Sequence, residues 1–442
     1  MRKEVAVIIC NWNKKDYVLK CIESVKQSTF TNYDLYVVDN ASTDGSAQAI
    51  RELYKNDVIL IENEVNKGGS GGFNTGIKEA LKKDYKYLYL LDNDVFIDSE
   101  ALQELYRYLE NHEEVGVVGS KIYVMDQPDL VQEIGARINW KTFDMELNYY
   151  RYIDDGTLPE VVECDYVPAC SMLVRAGAVK KAGTIDEEYF LYWDDIDWCY
   201  RIQLAGYKIV AYAKSKVWHK GGGKGRNDTF GNYFMWRNRV HFFKKYCSQD
   251  QLESFYTVLV EDLNKVTFFC NYKGQFSVAK SILLAVRDGL NLVRRKATED
   301  KVFVKETLPN HFRTVFLNKK HIGIIDCNEI QVLRNVVQSI LENHEDVDIT
   351  LIAKNLEREF LKCQFEDFKI VEYTEAKLDS FDILCQTCEH IAAIRNEMSD
   401  EVDVYIDKYL HFVSSNDDRI LLENYNNIFK MFKNIYFPIL SI

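Results

Sequence analysis

Tyr87-Leu88-Tyr89-Leu90-Leu91-Asp92-Asn93-Asp94-Val95-Phe96 is the stretch from which the fold is read. Apolar and aromatic residues run straight into two carboxylates one residue apart. The run predicts a buried strand. In an open α/β sheet, ligands gather beyond the carboxyl ends of the strands. On a continuing strand Asp92 and Asp94 share a face, and a turn at Asn93 alters that. Neighbouring carboxylates repel unless a cation lies between them, and hard divalent cations prefer oxygen ligands. One reading is therefore a Mg²⁺ or Mn²⁺ site that holds a diphosphate. The other is a polar turn, for which Asp-Asn-Asp is equally good chemistry.

Upstream, Val5–Cys10 is a continuous apolar run, the mark of a central parallel strand. It ends in Asn11-Trp12-Asn13. A helix is expected over Asp16–Gln27, with Leu19, Ile22 and Val25 on one face. Asp34–Val38 reads as a second strand, and Asp39-Asn40-Ala41-Ser42-Thr43-Asp44-Gly45-Ser46 as the polar turn capping a helix over Ala47–Tyr54. Val58–Ile61 is a third strand. Lys67-Gly68-Gly69-Ser70-Gly71-Gly72-Phe73-Asn74-Thr75-Gly76 follows, leading into a helix expected over Ile77–Lys82. It is neither a Walker loop nor a dinucleotide fingerprint. Its glycines allow close approach to a ligand, or simply a flexible loop. Strands alternating with helices predict a parallel sheet of right-handed βαβ units. The polar clusters then fall on one edge of that sheet.

Strands are also expected at Val115–Tyr123, Val161–Cys164, Ser171–Val174 and Lys208–Tyr212, with an irregular or hairpin-like segment over 126–163. Trp193-Asp194-Asp195-Ile196-Asp197 starts a helix, where carboxylates suit the helix dipole. Asp194, Asp197 and Arg201 can share a face, which gives Asp197 a salt bridge to Arg201 and leaves Asp195 pointing elsewhere, into the crevice if the helix packs on the sheet, or else as one more acid of the helix cap. Trp218-His219 precedes a glycine-lysine loop that includes Lys220 and Lys224. A lone histidine is usually structural, yet histidine is also the commonest metal ligand.

The chain has 442 residues, too long for one ordinary domain. It is 47% hydrophobic, a globular composition, and its net charge of -13 argues against a nucleic-acid binder. The 11 Cys are scattered, and the C-x-x-C at Cys385 and Cys388 stands without a second pair. That fits a reducing, cytoplasmic setting rather than a zinc site or a disulfide scaffold. The N-terminus enters a strand at once, so no signal peptide is expected. No run is long enough to span a membrane.

In order and together, Asn11-Trp12-Asn13, Val38–Gly45, Asn66–Asn74, Asp92-Asn93-Asp94, Trp193–Asp197 and Trp218-His219 resemble an inverting family 2 glycosyltransferase of the GT-A fold. The resemblance covers residues 5 to about 246. It implies an α/β fold with a central, mostly parallel sheet and a nucleotide-diphospho-sugar donor, UDP- or dTDP-linked. Asp39 would bind the donor base. Asp92-Asn93-Asp94 matches the family's DXD motif, with Asp94 the direct metal ligand and His219 completing the Mn²⁺ or Mg²⁺ site. Asp195 matches the catalytic base. Asn11, Asn13, Gly68, Gly69, Asn74, Asp92 and Asn93 fall to the donor, and Trp193 and Asp194 to the acceptor. The glycine stretch and the Trp-Asp-Asp cluster look most like bacterial galactofuranosyl- and rhamnosyltransferases of surface polysaccharides. Asp194 departs from the family, where many members have Glu.

The expected domains are 1–246 for catalysis, a helical connector over 247–306, and a small α/β domain over 307–442. Peripheral contact with the inner membrane face and self-association through the C-terminal region stay open, as does the acceptor, a glycan on a lipid or protein carrier. The competing reading is a nucleotide-sugar-binding scaffold without activity.

Overall fold

The computed structural model describes residues 3–221, 228–272, 275–305, 315–344, 346–389, 391, 398–408 and 410–413. It divides into two compact units, Met1–Phe255 with Lys280–Lys305, and Tyr256–Ala279 with Glu306–Ile442.

The first unit is built on a mixed sheet. Strands β1 (Val5–Asn11), β2 (Tyr33–Asp39), β3 (Ile59–Glu62) and β4 (Tyr87–Asp92) are parallel in the order β3-β2-β1-β4. Odd-numbered residues of β1 face one layer of helices. Val5, Val7 and Ile9 pack with Val18, Ile22 and Val25 of α1 (Lys15–Lys26), Ile50 of α2 (Ser46–Tyr54) and Leu102, Leu105 and Leu109 of the helix Ala101–Asn111. Even-numbered residues face α3 (Gly68–Ala80) on the other side.

Helix α3 differs from expectation, since it begins at Gly68 rather than Ile77. The cause is packing. A Cβ at Gly72 would lie 2.3 Å from Cys10 Sγ, and one at Gly76 2.4 Å from Ile8 Cγ2. Glycines four apart form a bare strip that lets the helix lie against β1. Their poor helix propensity is offset by that close approach. Gly68 and Gly69 in its first turn, and Phe73 in the next, reach the cavity described below.

Beyond β4 the sheet departs from all-parallel. Strands β5 (Val95–Ile97), β6 (Val115–Val124), β7 (Gln127–Glu133), β8 (Ala136–Asn139), β9 (Asp144–Leu147), β10 (Val161–Cys164), β11 (Ser171–Arg175) and β12 (Lys208–His219) follow. β11 inserts antiparallel between β4 and β6, while β12 runs parallel to β6 and pairs antiparallel with β5 and β10. β12 extends well past the expected Tyr212. β7 pairs with β6 and β8 with β9, so the 126–163 segment holds hairpins as expected.

Helix Phe230–Tyr246 and residues 280–305 complete the unit. Tyr233 Oη donates to Asp288 at 2.7 Å, Thr229 N donates to Phe303 O at 2.9 Å, and Phe234 packs with Ala285. These contacts assign the later part of the expected 247–306 connector to the first unit. Residues 256–279 belong to the second.

The second unit carries a six-stranded sheet of β13 (His321–Ile325), β14 (Asp348–Ala353), β15 (Lys369–Glu372), β16 (Ile383–Cys388), β17 (Val404–Asp407) and β18 (Phe412–Val413), in the order β15-β14-β13-β16-β17-β18. All pairings but the last are parallel. Asp326, just past β13, accepts from the backbone N–H of Asn328, Lys354, Asn355 and Leu356, which ties two loops together. The aromatic stretch Tyr425–Ile442 lies outside the described residues. No described helix is long and apolar enough to cross a membrane.

Candidate active site

The carboxyl ends of β1, β2 and β4 lie side by side, because Asn11 pairs with Asp39 and Cys10 with Asp92 in the parallel register. A cavity of about 460 Å³ opens there. Trp12, Asn40, Gly68, Asp92, Asp94 and His219 are among its lining.

Asp92 ends β4, Asp94 lies in the turn to β5, and His219 ends β12 opposite Val95. One ligand atom from each lies within 4.8 Å of the others. His219 Nε2 is 3.4 Å from Asp94 Oδ1 and 3.9 Å from Asp92 Oδ2. The Asp94 side chain is 4% exposed and that of Asp92 39%, so Asp94 is the more sheltered of two acids that both line the cavity. Burial opposes the charge on Asp94. His219 and Lys14 outweigh it and hold the carboxyl below its ordinary range. Burial likewise opposes the charge on His219, and the two aspartates override it to raise its pKa. One imidazole nitrogen and two carboxylates form a donor set that fits a divalent cation.

Lys14, which no motif singled out, places its ammonium against Asp94 and lines the cavity. The Lys220 side chain pairs with Asp126, and only its backbone N–H reaches Asp94, donating to the carbonyl oxygen. Lys224 lies outside the described residues.

Asn11, Asn13 and Asp39 form a scaffold for the neighbouring turn. Asn11 Nδ2 donates to Asp39 Oδ1 at 3.0 Å, and Asp39 Oδ2 accepts from Ser42 N at 2.9 Å. Asn13 Oδ1 accepts from Thr43 N at 2.7 Å. Asn93 Nδ2 donates to Asn11 Oδ1 at 2.8 Å, linking this turn to the acidic one. Asn74 points elsewhere. It is buried, and its amide donates to Ile185 O and Glu187, which fastens α3 to the 185–187 segment.

The acidic helix α6 of the site (Asp194–Leu204) is approached through a backbone held in unusual angles. Phe190, Tyr192 and Trp193 have φ of +67°, +63° and +67°. Such conformations cost about 1–3 kcal/mol each and persist only when their surroundings enforce them. Asn238 does so, its Nδ2 donating to the carbonyls of Tyr189, Leu191 and Tyr192. Buried Arg237 adds a bond to Tyr189 O at 2.8 Å. On the other side, Gly68 at φ +74° lets Phe190 O approach, where a Cβ would sit 2.0 Å away. Asn238 and Arg237 carry no motif that sequence reasoning used.

Asp195 Oδ2 accepts from Ala169 N at 3.2 Å, and the adjoining Cys170 O accepts from Asp92 N at 3.3 Å. Asp195 and the end of β4 therefore each bond to one residue of the Ala169-Cys170 pair. Burial, then the charge of Asp194, pushes the Asp195 pKa well above the carboxylate range. Burial raises that of Asp194 to about 6. Trp193, Asp194 and Asp195 lie outside the cavity lining, while Tyr192 belongs to it. Asp197 plays the structural part expected of it. Fully buried, it accepts from Arg201 and Lys245, both at 2.7 Å, and from Tyr246.

Residues 6–175 match the model for glycosyl transferase family 2. This stretch is similar to family 2 glycosyltransferases. The poly(ribitol-phosphate) beta-glucosyltransferase of Bacillus spizizenii is 30% identical over 115 residues, 25% of this chain and 18% of that protein. The low-salt glycan biosynthesis hexosyltransferase Agl10 of Haloferax volcanii is 23% identical over 217 residues, 47% and 64% of the two chains. The matches thus span a fifth to two thirds of these relatives. The crystal structure of S. aureus TarS aligns with 66% of this chain and 49% of its own, at 16% identity and a TM-score of 0.43. The matched stretch ends at Arg175, the last residue of β11. Asp195 and His219 come later in the chain and are joined to that stretch by the sheet.

Proposed function

We propose that the chain is a metal-dependent, inverting glycosyltransferase that moves a sugar from a nucleotide-diphosphate donor to a glycan on a lipid or protein carrier. The observation that carries this is the Asp92, Asp94 and His219 cluster at the strand ends, bordering the cavity and adjoining the turn that Asp195 holds. Asp92, Asp94 and His219 would hold the cation, which when bound neutralises charge on the departing diphosphate. The imidazole in the donor set favours Mn²⁺ over Mg²⁺.

Lys14 contributes a fixed positive charge beside Asp94, where the leaving group's charge grows. Asn11, Asp39 and Asn93 keep the donor side of the crevice rigid. Asp195 takes the proton of the attacking acceptor hydroxyl, and its raised pKa makes it a stronger base than an ordinary aspartate. A single displacement inverts the anomeric centre and needs no enzyme nucleophile. A rhamnosyl or galactofuranosyl donor is the finer proposal, supported by the glycine stretch and the Trp193-Asp194-Asp195 cluster.

The test is a panel of UDP-, dTDP- and GDP-sugars, with hydrolysis or transfer followed with Mn²⁺, after EDTA, and after re-addition. Activity should vanish with chelator and return with Mn²⁺, and the product should carry the inverted anomeric configuration by NMR. Full activity in EDTA would overturn the metal reading. No turnover of any donor would leave a binding protein.

A further inference from the structure

Strand β7 carries a bulge beside His219. Ile122 of β6 pairs with Glu133, and the next residue, Tyr123, pairs with Val131. Gln132 is the extra residue, and a bulge re-aims side chains that a regular strand would send to opposite faces. Gln132 Oε1 lies 3.1 Å from His219 Nδ1, and Gln132 Nε2 donates to Glu133 Oε1 at 3.3 Å. Glu133 is 6% exposed, and its Oε2 has no partner among the described residues.

The amide has two ends and only one arrangement suits both neighbours. A carboxyl oxygen that carries no hydrogen accepts and cannot donate, and Glu133 Oε1 is the atom that faces Gln132 Nε2. With its NH₂ on that oxygen, Gln132 turns its carbonyl oxygen to His219. An oxygen there requires a hydrogen on Nδ1. A neutral imidazole protonated at Nδ1 carries its lone pair on Nε2, the nitrogen directed at Asp92 and Asp94.

We propose that Glu133 and Gln132 form a positioning relay that fixes His219 as the Nδ1–H tautomer and aims its Nε2 lone pair at the cation site. This rests on the metal reading of the cluster. It also explains a buried carboxylate that neither the donor nor the acceptor assignment uses. Partners that orient a ligating histidine through its second nitrogen typically change metal affinity about 10–100-fold.

Two measurements test the relay on the full chain. In metal-free protein, at a pH where the His219 ring is neutral, ¹⁵N NMR should show its single ring hydrogen on Nδ1, and a neutral ring with that hydrogen on Nε2 would overturn the proposal. In titrations with Mn²⁺ alone, Gln132→Leu should weaken binding about 10–100-fold. The exchanged pair Gln132→Glu with Glu133→Gln should recover most of the loss, because a carboxylate at 132 still accepts from Nδ1–H. Wild-type Mn²⁺ affinity in Gln132→Leu, alongside loss in His219→Ala, would sink the relay and spare the metal site. Wild-type affinity in His219→Ala would instead remove the metal site itself.

Discussion

Asp195 sets the pH behaviour at the scale of single residues. It works as a base only when ionised, and burial together with Asp194 raises its pKa. Transfer should therefore fall on acidification at a pH above the ordinary aspartate value of about 3.9. Asp194→Asn removes the neighbouring negative charge, so the acid limb of the rate profile should move to lower pH. A limb that stays in place would show that another group controls it. Asp195→Asn should keep donor binding and lose at least about 100-fold in transfer. The residues of this site were unevenly legible. Asp92, Asp94, Asp195 and His219 stand out because their chemistry is written in short, ordered motifs. Lys14, Gln132 and Glu133 do not, because each acquires its place from a register or a bulge that no local pattern reports.

At the scale of elements, two helices carry measurable consequences. In α3, Gly72→Ala would gain helix propensity of about 1 kcal/mol. It would also drive a methyl into Cys10, against which the helix has no room. Overpacking of that kind costs about 1–3 kcal/mol, and the net effect should be a lower melting temperature. In α6, Asp197 joins Arg201 and Lys245 in a buried cluster. Asp197→Ala should cost about 3 kcal/mol, the lower end for one member of a buried pair, because Lys245 is a third exposed. Burial opposes the Asp197 charge, and Arg201 and Lys245 outweigh it to depress the pKa. Its contribution is thus present above the unfolded value near about 3.9 and lost as pH falls through the depressed one. Urea melts of both variants across acid pH would check this. Periodicity placed β1 to β4 and the first two helices, while the helices Ala101–Asn111 and Ala176–Ala182 were not expected. The miss at Gly68–Gly76 came from reading glycine as loop, when these glycines serve a packing surface that only the folded sheet supplies. The antiparallel insertion of β11 was equally hidden, since Ser171–Arg175 reads the same in either direction.

At the scale of the molecule, the cavity belongs wholly to the first unit. UDP with Mn²⁺ at about 100 times its Kd should stabilise that unit by about 2.7 kcal/mol. Hydrogen exchange should slow around Asn11, Asp39 and Asp92 and stay unchanged along β13–β17. Slowing confined to the second unit would contradict the site assignment. The interleaved path of the chain also matters during synthesis. The first unit is broken at Phe255 and resumes at Lys280, and Asp288 and Ala285 cover Tyr233 and Phe234. A ribosome adds roughly 5–20 residues per second, so those aromatic faces wait several seconds, bare, after helix Phe230–Tyr246 has emerged. The residues made in that interval, 256–279, are destined for the other unit. Chaperone dependence during translation should therefore peak before residue 305 leaves the exit tunnel, and fall once it has.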